Sequence, residues 1–359
     1  MEYIMHENYN ENYGRLFTKE GYISMDFIMR NRSPFIFIVG GRGSGKTYGA
    51  IQYALKNGLT FFFMRRTQTQ IDLIKNDSFS PFKAVDESIV VASINKNLSG
   101  IYRGSQSADG TWQAGGSPIG YMCALSTISN IRGFDASNVD LIIYDEFIGE
   151  AHERPIKNEG QAFLNAYETI NRNRELNGSE PVKVLALANS NNLANPLFIE
   201  LQLVTPVEKM LRDRNNANYM SWTNDQRGVS VYMIMNSPIL EAKQKTALYK
   251  LSGDSEFSAM ALKNEFTAEE MDHIKSEDLK PYRLICCVGE FSVYRRKDNK
   301  NYYISGHKSG STKAIYQSSS TDLKRFRRDQ YYLWLAYLNG RILFESYIYK
   351  VLFEKYFGI

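Results

Sequence analysis

Cysteine and histidine are scarce in this 359-residue chain. Its three cysteines (Cys123, Cys286 and Cys287) are too few for a disulfide framework, and its four histidines lie far apart, without zinc-ligand spacing. The longest apolar runs, such as 35–39 and 141–144, fall far short of the ~20 residues that a membrane-spanning helix needs. The N-terminus is polar and lacks the basic and apolar regions of a secretory signal. These absences predict a cytoplasmic chain with no membrane association.

Charge is low overall but unevenly distributed. Residues 281–359 contain 14 Lys and Arg against 6 Asp and Glu, a net charge of +8, whereas residues 1–280 contain 29 against 33, a net charge of −4. A basic C-terminal segment on a slightly acidic body indicates a polyanionic partner for that segment. A solvated basic surface is the alternative interpretation.

The first half of the sequence predicts an α/β fold. Short apolar segments predict strands at 35–39, 59–64, 88–94, 121–125, 139–144, 184–188 and 229–235. Several of these segments are continuously apolar rather than alternating, which is typical of parallel strands buried on both faces. The glycine-rich segment 99–120 predicts a hairpin or a surface loop.

The predicted domains are 1–236, a helical linker or lid at 237–280, and a small basic α/β domain at 281–359. The linker is polar and helix-prone. In the last domain, three strands (284–288, 291–296 and 302–305) precede one helix over 321–339, which ends at the stop signal Asn339-Gly340.

The strongest motif in the chain follows the first predicted strand and precedes a predicted helix. It matches G-x-x-x-x-G-K-[ST] and consists of Gly40, Gly41, Arg42, Gly43, Ser44, Gly45, Lys46 and Thr47. The glycines let the main chain wrap closely around a triphosphate with its N–H groups pointing inward, and the helix N-terminus adds favourable partial charge. Lys46 is predicted to reach the β- and γ-phosphates, and Thr47 to ligate Mg²⁺.

Two carboxylates follow a second buried strand. The run Leu141-Ile142-Ile143-Tyr144 ends in Asp145 and Glu146. Asp145 is predicted to hold Mg²⁺ through its water shell, and Glu146 to orient and deprotonate the attacking water. The second acid favours a hydrolase that uses ATP to do work over a small GTPase or a nucleoside kinase.

Two further polar residues end predicted strands. Asn189 follows 184–188 and is predicted to place an amide beside the γ-phosphate, although Asn191 and Asn192 leave this register open and a strand-ending turn is the alternative. Arg65 ends 59–64, which we expect to neighbour the strand before the glycine-rich loop. From there its guanidinium would reach the phosphates of the same subunit.

Two arginines follow the helical segment 161–170. Arg172 or Arg174 is predicted to act in trans on the nucleotide of a neighbouring subunit, because arginine suits bidentate contact with a transferring phosphate. An ordinary surface ion pair with Glu168 or Glu175 is the alternative.

Together these segments resemble a known family. GGRGSGKT, MRRTQTQ, SNIRGFDASNVDLIIYDEF, NRNRE and LANSNNLANPLF resemble viral DNA-packaging ATPases of the large-terminase superfamily, and most of all the encapsidation ATPases of small podophages of the Picovirinae type. The pair Arg132-Gly133 before the acidic strand is typical of terminase ATPase domains. The similarity extends over the whole chain, but only the nucleotide motifs are specific by themselves.

The resemblance implies an ASCE-type P-loop domain with a mainly parallel sheet, joined to a small RNase H-like domain. It implies a homo-oligomeric ring, usually a pentamer, that translocates double-stranded DNA at the capsid portal or connector, with a scaffold RNA as a further candidate partner. The protein would act in the host cytoplasm and transiently at the procapsid portal vertex, and would be absent from the mature virion. By the same resemblance, residues 40–47 bind ATP, Asp145 binds Mg²⁺ and Glu146 is catalytic. Arg172 would act in trans, and Arg65 and Asn189 would sense the γ-phosphate.

One departure from the family concerns the nuclease. Two-metal phosphodiester cleavage needs several converging carboxylates, yet the strand 284–288 carries none and only Glu290 lies nearby. We therefore expect a vestigial nuclease domain that binds nucleic acid or the portal. The alternatives are a nuclease-bearing terminase or a DNA helicase, and a non-enzymatic, nucleotide-gated portal adaptor. A metabolic kinase is a weaker alternative.

Overall fold

The computed structural model describes residues 16–131, 133–149, 153, 156–189, 193–212, 218–253, 273–298 and 301–358. The chain divides into two compact units: Met1–Leu201 with Met210–Glu265, and Gln202–Lys209 with Phe266–Ile359. Within the described ranges, no helix is both long enough and apolar enough to cross a bilayer.

The first unit is built on a ten-stranded sheet. Its strands are β1 Phe35–Gly40, β2 Phe61–Arg65, β3 Ile89–Ser93, β4 Ser99–Gln106, β5 Trp112–Ala114, β6 Gly120–Ala124, β7 Leu141–Asp145, β8 Lys183–Ala188, β9 Tyr219–Asn224 and β10 Val229–Ile234. They lie in the order β3-β4-β6-β2-β7-β8-β1-β10-β9, with β5 paired to β4. The six strands from β6 to β10 in this order are parallel, and antiparallel strands flank them on both sides.

The continuously apolar strands occupy the middle of this sheet. Every residue of β7 is buried, as are Phe61 to Met64 of β2 and Val184 to Ala188 of β8. Helices cover both faces of such a sheet, so apolar side chains are favoured at successive positions. The predicted α/β fold with a mainly parallel central sheet is confirmed.

Eight helices lie between residues 16 and 253 of the described chain. They are α1 Met25–Ile28, α2 Lys46–Lys56, α3 Gln68–Ile74, α4 Glu159–Asn171, α5 Pro196–Glu200, α6 Val204–Arg212, α7 Pro238–Gln244 and α8 Ala247–Ser252. The start of α3 is fixed by a capping box, in which the Thr67 side chain accepts from the Gln70 N–H and the Gln70 side chain accepts from the Thr67 N–H.

The prediction that β2 lies beside β1 was wrong. β2 pairs with β6 and β7, and both β7 and β8 lie between it and β1. Successive segments of a parallel sheet need not pair, because a helical crossover can place the next strand several positions away. Arg65 therefore enters the site beside Asp145 rather than directly beside the glycine-rich loop.

The second unit contains a five-stranded sheet. Its strands are β11 Tyr282–Val288, β12 Phe291–Arg296, β13 Tyr302–Ser305, β14 Ile315–Tyr316 and β15 Ile342–Phe344, in the order β14-β11-β12-β13-β15. Three antiparallel strands form its centre, and β14 and β15 join the two edges in parallel. Its helices are α9 Ser320–Asp329, α10 Tyr331–Leu338 and α11 Tyr347–Phe357.

The single helix predicted over 321–339 is two helices. They meet at Gln330, which is buried and leaves helical geometry with φ −116° and ψ 25°. Its amide donates to the Tyr316 hydroxyl at 3.0 Å and accepts from the Tyr332 hydroxyl at 2.6 Å. These two hydrogen bonds satisfy a buried polar side chain at the break, a contact that helical periodicity does not reveal.

Candidate nucleotide-binding site

The glycine-rich loop lies between the end of β1 and the start of α2. Gly43 and Gly45 have φ values of +73° and +88°, which glycine adopts without strain. The Ser44 hydroxyl donates to the Gly41 main-chain oxygen at 2.9 Å and closes the loop. The predicted strand–loop–helix context of this motif is therefore present.

Lys46 is buried at the centre of this loop. Its Nζ donates to the main-chain oxygens of Gly40 at 2.7 Å and Gly41 at 2.8 Å, and lies 3.3 Å from Ser44 Oγ and 3.2 Å from Asn189 Oδ1. Burial lowers the pKa of Lys46 to about 7, because removal from water disfavours the ammonium form. An anionic ligand would reverse that effect.

A hydroxyl and a carboxylate meet at the start of α2. Thr47 Oγ1 donates to Asp145 Oδ1 at 2.8 Å, and Asp145 is buried at the end of β7. Oxygen ligands of this kind suit Mg²⁺, which commonly takes one or two protein groups and completes its shell with phosphate oxygens and water. The two residues predicted to hold magnesium therefore lie together, and their oxygen atoms suit that ion.

Glu146 is the first residue after β7, and its main chain has φ +58°. Four non-glycine residues of the described chain have positive φ, and Glu146 and Arg172 are two of them. Such a conformation costs about 1–3 kcal/mol and is found most often at functional sites. The strained main chain directs a half-exposed carboxylate into the same cavity as Lys46.

Arg65 links the two carboxylates. Its Nη2 lies 2.8 Å from Asp145 Oδ2, and its Nη1 lies 3.2 Å from Glu146 Oε2. Asn189, at the end of β8, accepts from Lys46 as described above. The structure therefore brings Arg65, Asn189 and both acids to the same edge of the sheet; Asn191 and Asn192 lie outside the described residues.

These groups surround a cavity of about 840 Å³. Its lining includes these residues predicted from the motifs: Arg42, Gly43, Gly45, Lys46, Thr47, Asp145, Glu146 and Asn189. It also includes residues that the sequence analysis did not identify, which belong to the turn at 18–23 and to α2, among them Tyr22 and Tyr48. The Ile23 N–H donates to the Ser44 oxygen at 3.0 Å, so the turn is attached directly to the loop.

Arg66 points away from this cavity, unlike its neighbour Arg65. It is buried and forms a bidentate pair with Glu159 at the start of α4, at 2.6 and 3.0 Å, and a further ion pair with Glu153. The Glu159 side chain raises the pKa of Arg66 by accepting its hydrogen bonds. This buried pair attaches the end of β2 to α4.

Arg172, at the other end of α4, lies outside the cavity of its own chain. Its side chain is 45% exposed, donates to the Phe134 main-chain oxygen and lies 3.9 Å from Asp135. Arg174 contacts the same loop, with Nη2 2.6 Å from the Ser137 oxygen. The structure therefore gives both arginines partners in the loop 134–137, rather than the ion pairs with Glu168 or Glu175 that were the alternative to action in trans. Arg132 lies outside the described residues.

The sequence of this chain also matches a family model. The model for the Podovirus DNA encapsidation protein (Gp16) matches residues 18–330, which is most of the chain. The chain belongs to this family. The Gp16 family is that of podophage encapsidation proteins, so the resemblance found in the motifs is confirmed.

Individual Gp16 relatives agree with the family match. The DNA packaging protein of Bacillus phage phi29 is 26% identical over 332 residues, which cover 87% of this chain and 90% of the relative. That of Bacillus phage B103 is 24% identical over 333 residues, covering 88% and 94%. A chain in the structure of the bacteriophage Phi-29 viral genome packaging motor assembly matches with a TM-score of 0.63 at 20% identity, covering 93% of this chain and 98% of that one. This last likeness shows that the two chains share a fold.

Proposed function

We propose that this chain is the ATP-hydrolysing motor that moves double-stranded viral DNA into a preformed capsid. Family membership and the phage DNA packaging relatives support the packaging role. The ATPase role rests on a single cavity in which Lys46, Thr47, Asp145 and Glu146 come together. A phosphate-binding loop, a magnesium pair and a carboxylate beyond them are the parts that nucleotide hydrolysis requires.

Each side chain has a defined part in the proposed reaction. The loop N–H groups and Lys46 would bind the phosphates, and Thr47 and Asp145 would hold the metal. A bound Mg²⁺ would neutralise charge on the phosphate oxygens. Glu146 orients water in line with the bond between the γ-phosphorus and its bridging oxygen and accepts the water's proton as that bond breaks, leaving ADP and phosphate.

Arg65 and Asn189 are proposed as γ-phosphate sensors. When ATP binds, Arg65 would turn from Glu146 toward the γ-phosphate, so that the Glu146 carboxylate can orient the attacking water. Asn189, now bonded to Lys46, would change partner at the same step.

We also propose a homopentameric ring docked on the capsid portal or connector. Arg172 is exposed and lies outside its own cavity, as expected of a residue that completes a neighbour's site. An arginine supplied in trans stabilises transition-state charge and increases turnover by roughly 10³–10⁵-fold. Its contacts with the loop 134–137 would have to open for this role. The motor would act in the host cytoplasm and transiently at the procapsid portal vertex, and would be absent from the mature virion.

The second unit is proposed to bind nucleic acid or the portal without cutting DNA. It has a net charge of +8 over 281–359, which favours double-stranded DNA or a scaffold RNA as partner. Each of the six acids within 281–359 is paired with a neighbour: Glu290 with Tyr356, Asp298 with Arg296, Asp322 with Arg325, Asp329 with Arg328, Glu345 with Ser305 and Glu354 with Tyr337. Two-metal cleavage needs several converging carboxylates, and the described residues contain no group of three or more His, Cys, Asp or Glu that could hold a metal ion.

ATP hydrolysis with and without double-stranded DNA tests the motor. We expect turnover that rises with DNA and with protein concentration in the wild type, and loss of turnover in Glu146→Gln with retained ATP binding. Incubation of plasmid with Mg²⁺ or Mn²⁺ should give no cleavage, whereas cutting would favour a nuclease-bearing terminase. Strand separation on a duplex with a single-stranded tail would favour a helicase. ATP binding without turnover, even with portal-bearing procapsids, would contradict the motor and leave a nucleotide-gated adaptor.

A further inference from the structure

A lysine outside the glycine-rich motif lies against the tip of its loop. Lys243 Nζ, from α7, donates a hydrogen bond of 3.0 Å to the main-chain oxygen of Arg42. A Cβ at position 43 would overlap this ammonium. The φ of +73° favours glycine at position 43, and the absence of a Cβ leaves the space that the Lys243 ammonium occupies.

The position of α7 follows from the sheet. β10 pairs in parallel with β1, so that Ile234 lies opposite Gly40, where the loop begins. The chain then turns at Ser237 and begins α7 at the same edge of the sheet. Gly21 packs closely against Pro238 and the main chain of Ile239, so α7 also contacts the turn that closes the cavity.

The positive charge of Lys243 also acts on the buried Lys46 of the loop. Besides the burial of Lys46, the charge of Lys243 lowers the pKa of Lys46 more than the charge of Arg42 does, although Arg42 belongs to the loop itself. Partial burial lowers the pKa of Lys243 too. Two ammonium groups that repel each other beside a phosphate-binding loop gain most from a ligand with several negative charges.

We propose that Lys243 is a nucleotide-binding residue that contacts the terminal phosphate of ATP. On binding, its ammonium would exchange the Arg42 oxygen for a γ-phosphate oxygen. Lysine suits this exchange because it presents three donors on a flexible stem. Loss of the γ-phosphate would return the ammonium to the loop, so α7 would change its contacts with each turnover. This inference rests on the proposed function, that the loop binds ATP.

The test compares Lys243→Met with Lys245→Met. The first removes the charge and keeps most of the apolar stem; the second removes an exposed lysine from the end of the same helix. Binding of ADP and of a non-hydrolysable ATP analogue would be measured by calorimetry with Mg²⁺. We expect Lys243→Met to weaken binding of the analogue about tenfold and binding of ADP less than about twofold. The variant lacks a hydrogen bond to a charged group that forms only when the nucleotide has a γ-phosphate. Lys245→Met should change neither, and Lys243→Arg should keep the preference for the analogue.

The possible outcomes separate this inference from the proposed function. Equal weakening of both nucleotides by Lys243→Met would mean that Lys243 only positions the loop, and would overturn the inference. Unchanged binding of both would overturn it as well. In either case the wild type binds nucleotide and the proposed function is unaffected. A wild type that binds neither nucleotide would contradict the proposed function, and this inference with it. Melting temperatures identify any variant that has failed to fold.

Discussion

Arg65 Nη2 lies 2.8 Å from Asp145 Oδ2, and the same guanidinium lies 3.2 Å from Glu146 through Nη1. One side chain from β2 therefore holds both the proposed metal ligand and the proposed base, at the end of β7. The pair with Asp145 is buried, so it is screened little by solvent. The pair with Glu146 is more exposed and easier to break. This asymmetry would allow Arg65 to keep one carboxylate while releasing the other.

Replacement of Arg65 tests that arrangement. We expect Arg65→Ala to lower DNA-stimulated turnover by roughly 10³-fold, because the γ-phosphate loses the guanidinium proposed to contact it. Arg65→Lys should remain slow, since an ammonium cannot bridge two carboxylates in the same geometry. Arg103→Ala, which removes an exposed arginine paired with Asp86, serves as the control. Turnover of Arg65→Ala near that of this control would contradict the role.

Two substitutions of Arg172 should differ in their effect on stability but not in their effect on activity. Its φ of 50° and ψ of −135° suit glycine, and strain of this kind costs about 1–3 kcal/mol. The free energy of unfolding of Arg172→Gly should therefore be about 1 kcal/mol higher than that of Arg172→Ala. This difference allows for the greater flexibility of glycine in the unfolded chain.

Both substitutions at Arg172 should nevertheless lower turnover by roughly 10³-fold or more, because both remove the guanidinium proposed to act in trans. Denaturant unfolding and ATPase rates on the same preparations measure the two effects. Arg174→Ala is the matched variant, and a larger loss there would make Arg174 the residue that acts in trans. Normal turnover in Arg172→Gly would exclude Arg172 from the reaction.

The nucleotide site was more predictable than the contacts that surround it. Residues 40–47 and Asp145-Glu146 are local patterns tied to strand ends, so the sequence alone places them at one sheet edge. Lys243 and the turn around Tyr22 reach the loop only through tertiary packing, and no local pattern indicates them. The separation of β2 from β1 is likewise a matter of crossover geometry rather than local propensity.

The buried pair of Arg66 and Glu159 should be important for stability. Removal of one partner leaves a charge buried without compensation, which costs about 3–5 kcal/mol. We therefore expect Arg66→Met to be strongly destabilised in urea, and the double variant Arg66→Met/Glu159→Met to recover much of the loss. The pair joins β2 to α4, so the single variant should also weaken the attachment of α4, the helix that precedes Arg172. A double variant less stable than Arg66→Met would contradict this account.

Nucleotide binding should be coupled to proton uptake by Lys46. In the empty protein burial lowers the pKa of Lys46 to about 7, whereas bound phosphates would raise it by favouring the ammonium form. Below pH 7 the group is protonated with or without nucleotide, and affinity should not depend on it. Above pH 7 the empty protein must gain a proton as nucleotide binds, so affinity should fall by up to about tenfold per pH unit. Calorimetry with saturating Mg²⁺, in buffers of different ionisation enthalpy, should give a larger proton uptake at pH 8 than at pH 6. Equal uptake at the two pH values would exclude Lys46 as its source.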